Sequence, residues 1–95
     1  MTGLDPLIHP PTRLQLITTL AAVSEAEFAT LRTVLGVSDS VLSKHVAALV
    51  DVGYLHSRKS SHLGRRTTWI TLTNAGRNAL QDHVAALRRL IDVLD

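Results

Sequence analysis

The stretch SDSVLSKHVAALVDVG, running from Ser38 to Gly53, decides how the rest of the chain is read. Leu42, Val46 and Leu49 recur at spacings of four and three, the stripe of a helix lying on a core. The other side shows Asp39, Ser40, Ser43, Lys44 and Ala47, all short or hydrogen-bonding. A helix that had only to stay hydrated would usually carry Glu, Lys and Arg there. Short polar side chains leave the backbone cylinder close to whatever it faces, which suits contact with a partner. Ser38 stands in the N-cap position and Gly53 supplies a left-handed stop, so the spacing predicts a helix over 38–52.

Upstream, Ser24-Glu25-Ala26-Glu27 has the capping-box form and predicts a helix over 25–35, with Phe28, Leu31, Val34 and Leu35 apolar and Gly36 ending it. Only Gly-Val-Ser separates the two helices, a tight helix-turn-helix. The Pro10-Pro11 pair begins an earlier helix, 12–22, with Leu14, Ile17, Leu20 and Ala21 on one side. After Gly53 the period changes. Tyr54 to Lys59 and Thr67 to Leu72 read as the strands of a hairpin over 54–72, joined by the polar tip Ser60 to Arg66. Thr73 caps a last helix, 74–94.

A chain of 95 residues is expected to form one domain, 1–95. At 45% hydrophobic and 19% charged it belongs with globular chains, and a single Phe, Trp and Tyr leave an aliphatic core. Its apolar runs fall far short of the roughly 20 residues of a membrane span and no basic-then-apolar leader is visible, so no membrane partner is expected. The absence of Cys excludes disulfides and thiolate metal sites and fits a cytoplasmic protein. Net charge is only +2, but residues 37–66 hold five basic side chains against two acidic ones. The rest of the chain holds five basic and six acidic.

The last helix carries Leu80, Val84, Leu87, Ile91 and Leu94 at heptad spacing. Leu4, Leu7 and Ile8 also seek cover, so the expectation is a homodimer whose terminal segments pack across a two-fold axis. Trp69 is expected to serve hairpin packing or to anchor an interface rather than to stack on a base. No nucleophile elbow, phosphate loop or metal-hydrolase spacing is present, so neither an enzyme nor a cofactor is expected.

A helix-turn-helix followed by a basic hairpin has a physical use on double-stranded DNA. Its second helix fits a major groove about 12 Å wide, and the hairpin's Arg58, Lys59, Arg65 and Arg66, with His56 and His62, reach the adjacent backbone or minor groove. Leu42-Ser43-Lys44-His45-Val46 through Leu49, then Gly53-Tyr54-Leu55, resembles the recognition helix and exit turn of winged-helix regulators. Leu72-Thr73-Asn74-Ala75-Gly76-Arg77 resembles their strand-to-helix junction, and Gly64-Arg65-Arg66-Thr67 stands at their wing tip. Over about residues 12–90 the chain is similar to compact MarR/ArsR-like winged helix-turn-helix regulators without a separate ligand domain.

The resemblance implies a mainly α fold with a small β-hairpin wing (α+β), a long C-terminal dimerisation helix, and transcriptional control by a homodimer, commonly repression. Carried over by position, it makes Asp39, Ser40, Ser43 and Lys44 base-facing, beside the capping Ser38, and gives His45 a bracing role. Arg65 and Arg66 match the groove-reaching arginine of the wing, with Arg58, Lys59 and His62 beside them. The acid that often precedes that arginine is missing, because Ser61-His62-Leu63-Gly64 stands there. Ser40-Val41 replaces a Gly-Asn pair often found early in the recognition helix. One rival is an ArsR-like metal sensor using Asp82-His83 with Asp92 or Asp95, and His9 across the dimer. The other is a winged helix used only as a protein-interaction module.

Overall fold

The computed structural model describes residues 3–94. Its elements are α1 (Pro11–Val23), β1 (Glu25–Glu27), α2 (Phe28–Leu35), α3 (Asp39–Asp51), β2 (Leu55–His62), β3 (Arg65–Leu72) and α4 (Asn74–Leu94). No single helix among the described residues is long and apolar enough to cross a membrane. Leu16, Ile17 and Leu20 of α1, Leu31 of α2, Leu42 and Leu49 of α3 and Ile70 of β3 are fully buried together. The core is aliphatic, as the shortage of aromatic residues requires.

The capping box does not form. Glu25 to Glu27 are instead a short strand, and α2 begins three residues later than the expected 25–35, at Phe28. Glu25 pairs with Thr71, Ala26 with Ile70 and Glu27 with Trp69, giving a three-stranded antiparallel sheet in the order β1-β3-β2. Ser24, read as a cap for α2, lies in a left-handed conformation (φ 72°) at the end of α1. Two groups explain the outcome. The Glu25 carboxylate accepts the Thr71 hydroxyl at 2.8 Å, and pairing with β3 satisfies backbone groups that one capped turn would leave open.

The α3 ends follow the local chemistry. Ser38 Oγ accepts the Val41 N–H at 3.2 Å, and at the other end Gly53 N–H bonds Val50 O while Tyr54 N–H bonds Leu49 O. That is a Schellman closure around Gly53 (φ 82°). The hairpin is longer than expected. Its strands pair from Leu55↔Leu72 to His62↔Arg65, so the seven-residue tip shrinks to Leu63-Gly64, both at positive φ.

The junction into α4 is closely packed. Thr73 Oγ1 accepts the Gly76 N–H at 3.0 Å and donates to the carbonyl of Gly53 or Tyr54. A Cβ on Gly76 would lie 2.2 Å from Tyr54 O, so only glycine lets the helix start this close to the α3 exit. Arg77 reaches back to the Ala21 carbonyl (3.3 Å), placing a cation at the C-terminus of α1. A 21-residue helix is about 31 Å long, and with its exposed far end the molecule measures 54 × 25 × 21 Å.

Candidate nucleic-acid interface

Burial of Leu42, Val46 and Leu49 turns the opposite side of α3 outward, and Ser40, Ser43 and Lys44 are all exposed there. Asp39 is exposed too but not free. Its carboxylate takes an ion pair from Arg32 at the end of α2, which ties the two helices of the motif together. Asp39, expected to face bases, thus meets any partner as one half of an ion pair, and a paired carboxylate repels phosphate less than a free one.

His45 lies on the flank of α3 nearest α1. Arg13 Nε donates to its Nδ1 at 3.0 Å, so the neutral ring carries its proton on Nε2. Burial, then the charges of Arg13 and Lys44, hold the imidazole below the ordinary histidine pKa. Sequence reading missed this partner of His45: Arg13 stands 32 residues away, with no local signal linking the two.

The wing sorts its cations by strand alternation. Ser57, Lys59, Thr68 and Ile70 turn toward α3 and, with Phe28, Ser43, Val46, Ala47 and Val50, line a cleft of about 400 Å3. Arg66 follows on the same face, opposite Ser61. Arg58, His62 and Arg65 turn to the other face, where they line a depression with Glu25, Glu27 and Trp69. The Arg58 guanidinium lies 5.9 Å from the Trp69 ring centroid and donates to Glu25 at 3.5 Å. The Thr71 hydrogen bond first, and Arg58 after it, hold the Glu25 carboxyl below its ordinary range. Five basic wing residues that looked alike in sequence therefore form two sets. Arg58 is engaged within the sheet, whereas Lys59 and Arg66 stand exposed on the face beside α3.

The terminal segments divide in the same way. Ile8 is fully buried and Leu80 is 8% exposed, both within the chain's own core, so neither is available to a second chain as expected. Leu4, Leu7, Val84 and Leu87 are half-buried. Ile91 and Leu94 are 58% and 86% exposed, with Leu90 and Val93 also open around them. Asp5 ties the N-terminal segment down. It accepts the Tyr54 hydroxyl at 2.7 Å, and its backbone N–H donates to His83 Nδ1 at 2.9 Å. The bond to Asp5 chiefly, then burial, raises the Tyr54 phenol. His83 is fully buried, its Nε2 has no partner among the described residues, and the His9 ring meets it edge-on at 5.5 Å.

That burial separates the residues of the metal alternative. His83 points into the core while Asp82 and Asp92 are exposed, and Asp95 lies outside the described residues. No group of three or more His, Cys, Asp or Glu among the described residues is placed to hold a metal ion.

Comparison with known proteins supplies the context for this geometry. The chain is 30% identical over 84 residues to the uncharacterized protein MJ0432 of Methanocaldococcus jannaschii, covering 88% of this chain and 91% of that one. It superposes with a TM-score of 0.88 and 25% identity on a transcriptional regulator homologue of Pyrococcus horikoshii OT3, covering 94% of this chain and 88% of the other. It shares the fold of MarR, with a TM-score of 0.77 at 15% identity, over 93% of this chain and 64% of MarR. The family model for a winged helix DNA-binding domain matches residues 12–91, and the chain belongs to that family of winged helix DNA-binding domains.

Proposed function

We propose that the protein is a sequence-specific regulator of transcription that binds double-stranded DNA as a homodimer and acts as a repressor. Each protomer lays α3 in a major groove, with Ser40, Ser43 and Lys44 toward the bases. Lys59 and Arg66 meet the backbone that passes between α3 and the wing. The observation carrying this reading is the cleft between α3 and the wing, where Ser43 of α3 and Lys59 of the wing share one lining, with Ser40, Lys44 and Arg66 exposed on the same two elements. Hydroxyls and a flexible cation can approach base edges closely, and cations on the neighbouring face neutralise phosphates. A two-fold axis through the projecting end of α4, using Leu87, Ile91 and Leu94, would present two such surfaces to half-sites about one helical turn apart. The same reading puts the protein in the cytoplasm, with the DNA it would bind.

The test is fluorescence anisotropy on the DNA upstream of the protein's own gene against a random duplex, across a salt series. A preference of about 1,000-fold with a steep salt dependence is expected. Binding that ignores salt would instead indicate a protein-interaction module. Lys59→Ala should lower the salt slope by about one and Arg58→Ala should leave it unchanged. Equal effects of the two would remove the sorting of the wing from the interface.

A further inference from the structure

Leu63 stands at the tip of the wing in a conformation that its side chain disfavours. It is 92% exposed, more than any other large hydrophobic residue described, and its φ is +52°. A two-residue hairpin turn with both φ positive is the place for Asn-Gly or Asp-Gly, and only Gly64 follows that rule. Leucine there strains the backbone and leaves an apolar side chain in water, so two independent terms oppose it. Neither is offset by the described residues, since Leu63 stands in water and the space around Gly64 is open. Strain of this kind persists where an external contact uses the residue. The surroundings indicate what that contact is. His62, Arg65 and Arg66 flank the tip, all exposed, and none of their side chains forms an ion pair with a described residue.

Resting on the DNA reading above, we propose that Leu63 is an apolar probe that the wing inserts into the DNA minor groove. The minor groove is about 6 Å wide and its walls include deoxyribose, a surface that an aliphatic side chain can pack against. A single projecting leucine on a two-residue turn is narrow enough to enter. Arg65 and Arg66 lie one and two residues beyond the turn, within reach of the phosphates that border the same groove. The probe and the cations thus divide the work: the cations supply salt-dependent attraction and Leu63 supplies contact that salt does not weaken.

The test exploits a conflict of sign. Leu63→Asn relieves the turn, so its urea midpoint should rise, yet its affinity for the upstream duplex should fall about tenfold with the salt slope unchanged. Leu63→Met, which keeps the apolar bulk, should bind within about twofold of the unaltered chain. The Arg65→Ala, Arg66→Ala double variant should do the opposite of Leu63→Asn and flatten the salt slope. Unchanged affinity in Leu63→Asn would overturn the proposal, as would a loss accompanied by a lower urea midpoint, which would mark the residue as structural. An unaltered chain that binds no duplex at low salt would remove the DNA reading and this inference together. An unaltered chain that binds, with Leu63→Asn binding equally, removes the inference alone.

Discussion

The two halves of α4 carry the same heptad seam and meet opposite fates. From Asn74 to Ala86 the helix is held by the Thr73 cap, by the contact of Gly76 with Tyr54 O, and by burial of Leu80, His83 and Ala86. From Leu87 onward only Leu87 itself is half-covered, and Leu90, Ile91, Val93 and Leu94 face solvent. Nothing in the side chains marks the change, because leucine and isoleucine serve both halves. What changes is the supply of neighbours: α1 and the N-terminal segment reach the first half, and the helix then outruns the body of the molecule. An apolar seam is thus a demand for cover, and its source depends on where the helix lies.

The largest expected effect comes from breaking the anchored half. Gly76→Ala drives a methyl group to 2.2 Å from a backbone carbonyl and 2.7 Å from Leu72 Cδ1. It should lower unfolding free energy by about 3 kcal/mol in urea titrations. Leu80→Ala removes a core side chain and should cost about 2–3 kcal/mol, against about 0.5 kcal/mol or less for Leu94→Ala measured on monomeric protein. Equal losses at the two positions would erase the distinction between the halves.

A smaller effect follows from His83. Burial chiefly, and the neighbouring charge of His9, lower its folded-state pKa below the ordinary 6.5, with Asp5 opposing. The unfolded chain therefore binds the proton more readily than the folded one. The stability His83 contributes is complete above about pH 6.5 and is lost as pH falls through that value toward the folded pKa. His45 contributes in the same direction. His83→Asn keeps an acceptor for the Asp5 N–H without titrating, so thermal melts should decline less below pH 6.5 than in the unaltered chain. An identical pH profile would deny that His83 is buried in its neutral form.

The smallest effect on the fold of one chain is expected at the projecting end. Ile91→Asp should leave the far-ultraviolet circular dichroism of the body unchanged and convert the proposed dimer to a monomer in size-exclusion chromatography with light scattering. A variant that remains dimeric would move the two-fold contact away from α4.

Legibility in the sequence followed the range of the forces involved. The helix-turn-helix could be read because its devices are local: the stripe of Leu42, Val46 and Leu49, the cap at Ser38 and the Schellman glycine at Gly53 act within a few residues. The Ser24–Glu27 segment misled because a capping box and a short edge strand share the same residues, and a strand 46 residues away competes for Glu25. The Arg13–His45 and Asp5–His83 bonds left no trace in spacing, since each joins elements far apart in the chain. The wing's cations were visible as a group. Their division into two faces needed the register, which a one-residue slip would have reversed.

By itself, the sequence determined the order of the four helices and the hairpin, the aliphatic core, the two ends of α3 and the basic character of the wing, because periodicity, capping and turn chemistry are properties of neighbouring residues. Tertiary structure alone decided that Glu25 joins the sheet, that Asp39 is paired, that His83 is buried, that Arg58 and Lys59 part company, and where the α4 seam leaves the core. Each of those outcomes depends on which distant group arrives beside a side chain, and a linear pattern carries no measure of that distance.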